Sequence, residues 1–241
     1  MQKKGMWFYE DLPVVSSTND AVVDLWQKVK TQCIVSAKEQ TNGRGRLGRV
    51  WEAQAGNLFV SFAYEDLTQN IGHQVIISAL AVFETIRFFA PFCDVKIKWP
   101  NDVFVEGKKI SGILFEKGPE NCWIMGVGVN VAQTPKVSNL LYEATSLADL
   151  NIKTSRSVVL EKLIEEFDKL QVKYKANGFS YIKGLWLDNC YLRGKKVVIK
   201  QNNTTTEGVL SDLDNNGSLI LKTNEGLKTI FVGDLFKKDD K

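Results

Sequence analysis

Histidine is nearly absent from this chain, since its 241 residues contain only His73. Histidine is a frequent general base and metal ligand in enzymes, so a single copy argues against mechanisms that need histidine pairs. We expect His73, at the start of an apolar helical segment, to be a surface or cap residue. The four cysteines, Cys33, Cys93, Cys122 and Cys190, lie far apart, and no pair has the spacing of a zinc site.

Long hydrophobic runs are missing as well. No apolar segment follows Lys3 and Lys4, as it would in a signal peptide. The most apolar stretch, residues 75–83, is too short to cross a bilayer. Without an export signal, reduced cysteines in a cytosol are the simplest interpretation. The net charge of +3 is too mild for a typical nucleic-acid binder. The sequence therefore predicts a cytoplasmic protein with neither membrane nor DNA partners.

Hydrophobic periodicity predicts an α+β fold. Short β-like runs follow a helix predicted over residues 73–90, and the turns between them leave no room for crossover helices. We therefore expect a mixed, mostly antiparallel sheet, with further helices over residues 158–174 and 179–187. Short β-rich runs with Asn-Gly turn signals near the C-terminus predict a small β-barrel. We place a main domain at residues 1–190 and this small domain at residues 191–241.

A glycine- and arginine-rich loop, QTNGRGRLGRVW from Gln40, is the strongest candidate for chemistry. It formally satisfies the dinucleotide pattern G-x-G-x-x-G. Residues 50–56 are too few for the crossover that a Rossmann unit needs before the next strand, so we reject that interpretation. Glycine lets a backbone approach a ligand closely, while Arg44, Arg46 and Arg49 carry permanent charges that match phosphates and carboxylates. The pattern alone leaves a phosphate-binding loop and an exposed basic turn equally open.

Five motifs, in order, resemble those of biotin protein ligases. The arginine loop resembles the family's GRGRxGRxW signature. The others are STN from Ser17, KWPND from Lys98, KISGIL from Lys109 and GVGVN from Gly126. The resemblance is strong over residues 15–150 and implies a class II synthetase-like catalytic domain. It extends more loosely to the C-terminus, which resembles the family's small SH3-like domain.

This resemblance implies a two-step reaction. Biotin and ATP, with magnesium, form biotinyl-5′-adenylate and pyrophosphate. A lysine of a biotin carboxyl carrier protein, part of a biotin-dependent carboxylase, then attacks the adenylate to give an amide and AMP. Homodimers occur in the family, so a homodimer is compatible with the resemblance. Some members also carry an N-terminal DNA-binding domain. Only 16 residues precede Ser17, so we expect no such domain and no sequence-specific DNA binding.

Candidate site residues follow from the matched motifs. The resemblance implies that Lys109, Arg46 and Asp102 are catalytic, with Asp102 also helping to hold magnesium, which binds mostly through phosphates. An indole offers a large flat face, so Trp51 is expected to stack on adenine. The residues expected to contact biotin or its adenylate are Ser17, Thr18, Asn19, Gln40, Gly43, Arg44, Gly45, Arg46, Arg49, Trp51, Lys109, Gly112, Gly128 and Asn130. We expect the arginine loop to be a mobile lid that orders over these ligands.

Simpler roles remain open for several of these residues. Ser17 and Thr18 have the side chains of helix caps. Lys109 could be an ordinary residue at a hairpin end, and Asp102 a turn residue after a proline. Asn130 could merely close a turn.

Two other functions also remain open. A lipoate ligase shares the fold and the adenylate chemistry, although the arginine loop and the KWPND motif together favour biotin. A non-catalytic sensor of biotin or nucleotide is compatible too, although all charged positions of the motifs are intact.

Overall fold

The computed structural model describes residues 2–65, 70–135, 141–201 and 204–238. The helices are α1 (Thr18–Val29), α2 (Ile71–Phe89) and α3 (Arg156–Asp188). The strands are β1 (Gln2–Lys4), β2 (Trp7–Val15), β3 (Cys33–Gln40), β4 (Leu58–Glu65), β5 (Val95–Lys98), β6 (Asp102–Val105), β7 (Lys108–Lys117), β8 (Cys122–Val129), β9 (Lys196–Gln201), β10 (Thr204–Leu213), β11 (Leu219–Thr223), β12 (Gly226–Ile230) and β13 (Asp234–Lys237).

The main sheet has eight strands in the order β1-β2-β3-β4-β8-β7-β6-β5. Neighbouring strands are antiparallel except β2 and β3, which are parallel because α1 connects them as a crossover. The prediction of a mixed, mostly antiparallel sheet is therefore confirmed. Strands β1 and β2 were not predicted, since the segment WFYEDLPVV does not alternate cleanly and contains a proline.

The helices cover both faces of this sheet. Val22, Leu25 and Trp26 of α1 pack on one face, and α2 and α3 pack on the other. The side chains of β4 alternate between the faces, so Phe62 belongs to the second layer and Ala63 to the first. This arrangement places the N-terminus of α1 at the edge of the cavity described below.

Helix α2 is long and apolar enough to cross a membrane by length and composition alone. Its side chains Ile77, Leu80 and Phe83 are nonetheless buried against the sheet and α3. The helix begins after the cap residue Asn70, slightly earlier than predicted. It is therefore a core helix of the main domain.

Helix α3 contains both helical segments that the sequence predicted near residues 158–187. They form one element, broken only at Gly178, where φ is +74°. Glycine adopts this conformation without the steric cost that a Cβ would add. The break turns the second segment toward the C-terminal strands, where Lys183 pairs with Asp212 at 3.0 Å.

A second sheet, β12-β11-β10-β9-β13, forms the C-terminal β domain. Its core residues include Val197, Leu210, Leu221 and Leu235, which are fully buried. The domain is confirmed, while its closure into a barrel remains a prediction.

His73 lies in the first turn of α2, is partly buried, and connects this helix to α3 and to the C-terminal domain. Its Nδ1 lies 2.7 Å from the Tyr174 hydroxyl, and its Nε2 lies 2.7 Å from the Asn215 carbonyl oxygen. Because that carbonyl can only accept, Nε2 carries the hydrogen. The ring also stacks on Phe179 at 3.7 Å. The histidine therefore ties α2 to α3 and to the C-terminal domain.

Candidate active site

A cavity of about 460 Å³ lies between the N-terminus of α1, strands β7 and β8, the arginine loop and the C-terminal domain. Fourteen of the fifteen predicted site residues line it. They are Ser17, Thr18, Asn19, Gln40, Arg44, Gly45, Arg46, Arg49, Trp51, Asp102, Lys109, Gly112, Gly128 and Asn130. Tyr142 and Asp234 also line it, although no motif includes them.

The arginine loop is folded as a hairpin. The amide of Trp51 donates to the Gly43 carbonyl at 3.0 Å, and the amide of Gly45 donates to the Arg49 carbonyl at 2.7 Å. A side chain at Gly43 would overlap the backbone of Trp51, so glycine is required there although this residue does not line the cavity. These hydrogen bonds define the hairpin, and its role as a mobile lid over the ligands remains a prediction.

The N-terminus of α1 supplies a fixed polar group of side chains. Ser17 caps the helix by accepting from the Asn19 amide, as its sequence context predicted. Thr18 donates to the Gln40 side-chain oxygen from both its amide, at 2.8 Å, and its hydroxyl, at 3.0 Å. Ser61 of β4 donates in turn to the Thr18 hydroxyl at 2.8 Å. These bonds hold Thr18 and Gln40 in place before any ligand arrives.

Asn19 connects three elements through its side chain. Its amide group donates to Glu116 at 2.6 Å, and its side-chain oxygen lies 2.5 Å from the Ser61 hydroxyl oxygen. That oxygen lies so close to Gly126 that any side chain there would overlap it. Asn19 is thus engaged in tying α1 to β4 and β7.

Arg44 is held by two carboxylates. It donates to both oxygens of Asp20, at 2.8 and 2.7 Å, and to Glu116 at 3.3 Å. The hydrogen bonds with Arg44 lower the pKa of Asp20, and they raise the pKa of Arg44 itself. Arg44 therefore anchors the loop to α1 and β7 in this structure.

Arg46 and Arg49 reach the C-terminal domain. Arg46 donates to the Asn101 side-chain oxygen at 3.0 Å and to the Gly233 carbonyl at 3.4 Å. Arg49 pairs with Asp234, at 2.8 Å to the nearer oxygen. Burial lowers the pKa of Arg46 from its usual value. The involvement of Asp234 could not be predicted, because its surroundings carry no recognisable motif.

Trp51 covers two glycines of the main sheet. A side chain at Gly112 or Gly128 would overlap the indole, so both glycines make room for it. The indole nitrogen is buried without a hydrogen-bond partner among the described residues. The sequence assigned Trp51 to adenine and the two glycines to biotin, and did not anticipate that they touch each other.

Lys109 and Asp102 form an ion pair of 2.7 Å. The neighbouring Lys108 pairs with Glu143 instead and does not line the cavity. Asn130 donates to the Thr145 carbonyl at 3.0 Å, while its own side-chain oxygen is buried without a partner in the described parts of the chain. That oxygen can accept a hydrogen bond from a ligand.

Magnesium would find few protein ligands here. In the described ranges no three histidine, cysteine or acidic side chains come together. Magnesium usually takes one or two carboxylates and completes its shell with water and phosphate oxygens. Asp102 lies on the cavity wall, and among the described residues its one ion pair is with Lys109. It therefore fits a magnesium ion that is held chiefly by substrate phosphates.

Two family descriptions match the chain. The Biotin/lipoate A/B protein ligase family covers residues 12–130, and the Biotin protein ligase C terminal domain covers residues 193–238. The first range contains the motif residues and strands β3 to β8 of the main sheet, and the second contains the C-terminal strands.

Among related proteins, the bifunctional ligase/repressor BirA of Bacillus subtilis is 34% identical over 233 residues, covering 92% of this chain and 71% of that protein. The biotin–[acetyl-CoA-carboxylase] ligase of Paracoccus denitrificans is 28% identical over 231 residues, covering 91% of this chain and 96% of that protein.

Among solved structures, the biotin protein ligase from Aquifex aeolicus in complex with biotin and ATP superimposes with a TM-score of 0.86 at 29% identity. The match covers 96% of this chain and 99% of that one.

Proposed function

This chain belongs to the biotin protein ligase family, and we propose that it performs the two-step ligase reaction in the cavity described above. It activates biotin with ATP to biotinyl-5′-adenylate and transfers biotin to a lysine of a biotin carboxyl carrier protein. The observation that carries this proposal is the gathering of residues from all five motifs around one cavity, in a chain that matches the ligase family in both domains.

Activation joins two anions, because a biotin carboxylate oxygen attacks the α-phosphorus of ATP while pyrophosphate leaves. Positive charge placed around both groups reduces their repulsion and stabilises the departing pyrophosphate. We assign this work to Lys109 and Arg46, assisted by Arg49. Each is now paired within the protein, so ligand phosphates and carboxylate would replace those partners. Magnesium, when bound, would neutralise phosphate charge, with Asp102 among its ligands.

Biotin is a small, mostly neutral ligand that needs a few well-placed hydrogen bonds. We assign its polar contacts to Ser17, Thr18 and Gln40, which are already ordered, and to the unpartnered oxygen of Asn130. Gly112 and Gly128 would present backbone groups to it. Trp51 would stack on the adenine.

In the second step the neutral amine of the carrier lysine attacks the biotinyl carbonyl carbon. The bond between that carbon and the phosphate oxygen breaks, AMP leaves and one proton is released. Asp102 borders the cavity and is 13% exposed, so we propose that it orients the incoming amine.

The partner is the biotin carrier of a biotin-dependent carboxylase, in keeping with the name of the Paracoccus denitrificans relative.

We propose no membrane or specific DNA partner, in accordance with the mild net charge of +3 and the burial of α2. Tight, operator-specific binding in a gel-shift titration would contradict the proposal that the protein has no specific DNA partner. A homodimer remains a proposal that sedimentation can test with and without biotin and ATP.

We propose the cytoplasm as the site of action, since all four cysteines are free thiols.

We also propose a domain boundary at residues 190 and 191. Helix α3 ends at Asp188, and the first strand of the second sheet begins at Lys196, so the boundary falls in the short connection between them.

The test is incubation with ATP and either biotin or lipoate, followed by measurement of pyrophosphate. We expect pyrophosphate to be released with biotin and not with lipoate. Labelled biotin should then be found on a carrier domain. Turnover with lipoate but not with biotin would make the protein a lipoate ligase. Tight biotin binding without transfer to any of several carriers would make it a sensor.

A further inference from the structure

Lys98 is a buried lysine whose charge has no partner of opposite sign in direct contact. The residue is 3% exposed and lies at the end of β5. Its Nζ lies 3.2 Å from the centre of the Tyr142 ring, 5.3 Å from that of Phe104 and 5.7 Å from that of Phe236. Within the described ranges no hydrogen bond or ion pair involves this group. The ammonium is thus held by aromatic faces, which attract cations through their quadrupoles.

The three rings, which we call the aromatic cage, come from both domains. Phe104 belongs to β6 of the main sheet and Phe236 to β13 of the C-terminal domain. Tyr142 lies between them, with ring centres 5.6 Å from each. The Tyr142 hydroxyl donates to the Leu235 carbonyl at 3.0 Å. Because Tyr142 also lines the cavity, Lys98 lies directly behind a cavity wall that spans the domain junction.

The cage stands beside the charged part of the cavity. The groups that act electrostatically on Lys98 include Asp102, Lys109, Asp234 and Arg49, all of which line the cavity. With Arg46, this group holds four basic and two acidic side chains, so Lys98 in its protonated form supplies half of the excess positive charge. In the proposed reaction the triphosphate of ATP binds at this part of the cavity, beside Arg46, Arg49 and Lys109.

Burying an ammonium without an anion costs folding free energy. A methionine would fill the same space, contact the rings favourably and avoid that cost. The stability of the fold therefore does not require a charge at this position. A charge that lowers stability beside an anion-binding cavity is a candidate for function.

We propose that Lys98 is a positioning residue for ATP, acting through Tyr142 and through its charge. The cation–π contact fixes the cavity wall formed by Tyr142 against the C-terminal domain. The ammonium adds positive potential that draws the polyphosphate toward Arg46 and Arg49. This inference rests on the proposed ligase function and gives the C-terminal domain a part in binding ATP.

The decisive variant is Lys98→Met, measured in the adenylation reaction with ATP and biotin varied separately. A unit charge about 10 Å away changes binding by on the order of tenfold at an intermediate dielectric constant. We therefore expect the KM for ATP to rise roughly tenfold, with an unchanged KM for biotin and an equal or higher unfolding temperature. Lys98→Arg should keep the KM for ATP close to that of the unchanged protein, since it preserves the charge and the cation–π contact.

The matched control is Lys96→Met on the same strand, where the lysine is partly exposed and pairs with Asp94 at 3.3 Å. It should leave the KM for ATP unchanged. An unchanged KM for ATP in Lys98→Met would overturn the inference, as would an equal loss for both substrates with a lower unfolding temperature. Should Lys98→Met not fold, Tyr142→Leu replaces it, and an unchanged KM for ATP in that variant also contradicts the proposal.

The reaction of the wild-type protein distinguishes a failure of this inference from a failure of the proposed function. If it releases no pyrophosphate with ATP and biotin, the ligase function itself is wrong. If it does so and Lys98→Met behaves identically, only the role of Lys98 is wrong.

Discussion

The two ends of the cavity are built differently. The strand end, formed by Ser17, Thr18, Gln40 and Asn130, rests on α1, β3 and β8, and its side chains are fixed by neutral hydrogen bonds. The loop end combines residues of the hairpin, the main sheet and the C-terminal domain. Two ion pairs lie there, Lys109 with Asp102 and Arg49 with Asp234, and Arg46 donates to the Asn101 side chain. The strand end is therefore preorganised for a neutral ring, whereas the loop end must exchange protein partners for those of a charged ligand.

Lys109→Met should have the largest effect on the loop end, because it removes a cation there and leaves Asp102 without its ion-pair partner. Loss of one preorganised group that stabilises developing charge costs roughly 100- to 1,000-fold in rate. We expect that loss in pyrophosphate release, with little change in biotin binding. The control is Lys108→Met, which removes the adjacent lysine that does not line the cavity. Equal losses in both variants would contradict the assignment of Lys109.

Gly128 lies on β8, on which the strand end rests, and Gly128→Ala tests how rigid this part of the cavity is. A methyl group at this position overlaps the Trp51 indole, so the ring or the strand must shift. Overpacking of this kind costs about 1–3 kcal/mol, which denaturant unfolding can measure, and we expect weaker biotin binding as well. Gly184→Ala on α3 is the control, since a methyl group there meets open space. Unchanged stability and biotin affinity in Gly128→Ala would show that this end adapts readily.

Arg46→Ala removes one of the two hairpin contacts with the C-terminal domain. We expect the preformed biotinyl-adenylate to dissociate on the order of tenfold faster, as for the loss of a hydrogen bond to a charged group. The measurement is a chase of labelled adenylate with unlabelled ligand. An unchanged rate of dissociation would mean that Arg46 serves only to connect the domains.

The smallest expected effect concerns the pH dependence of stability. Burial lowers the pKa of Lys98 to about 7, below its ordinary value of about 10.4 in the unfolded chain. Between these values the unfolded chain binds the proton more tightly, so raising the pH favours the folded state. Relative to Lys98→Met, the unchanged protein should gain about 1 kcal/mol between pH 7 and pH 8. Parallel stability curves for the two proteins would contradict the lowered pKa.

Much of the strand end could be predicted from the sequence, because its information is local. A capping serine at the start of α1 follows from a short-range pattern, and Gln40 at the end of β3 was assigned through the resemblance of the motif that it begins. The periodicity of β-like runs also predicted the antiparallel part of the main sheet. The parallel pair of β2 and β3 was missed, since it depends on a long-range pairing that α1 makes possible.

At the loop end, the contacts of the charged side chains could not be predicted from the sequence. Arg46 and Arg49 were identified as cations in a glycine-rich loop, but their partners lie near residue 234, far along the chain. Lys98 was recognised only as part of a motif, because nothing local distinguishes a buried lysine from an exposed one. The aromatic cage around it arises when β5, β6 and β13 come together.

The sequence by itself determined the types of side chain available for the chemistry and the α+β character of the fold, because motifs and hydrophobic periodicity are local properties. Only the tertiary structure decided which charges face one another. It brought Asp234 to Arg49, and it placed Tyr142 between Lys98 and the cavity. The physical reason is that the energy of a charge depends on its burial and its neighbours, and both are set by contacts between segments distant in the chain.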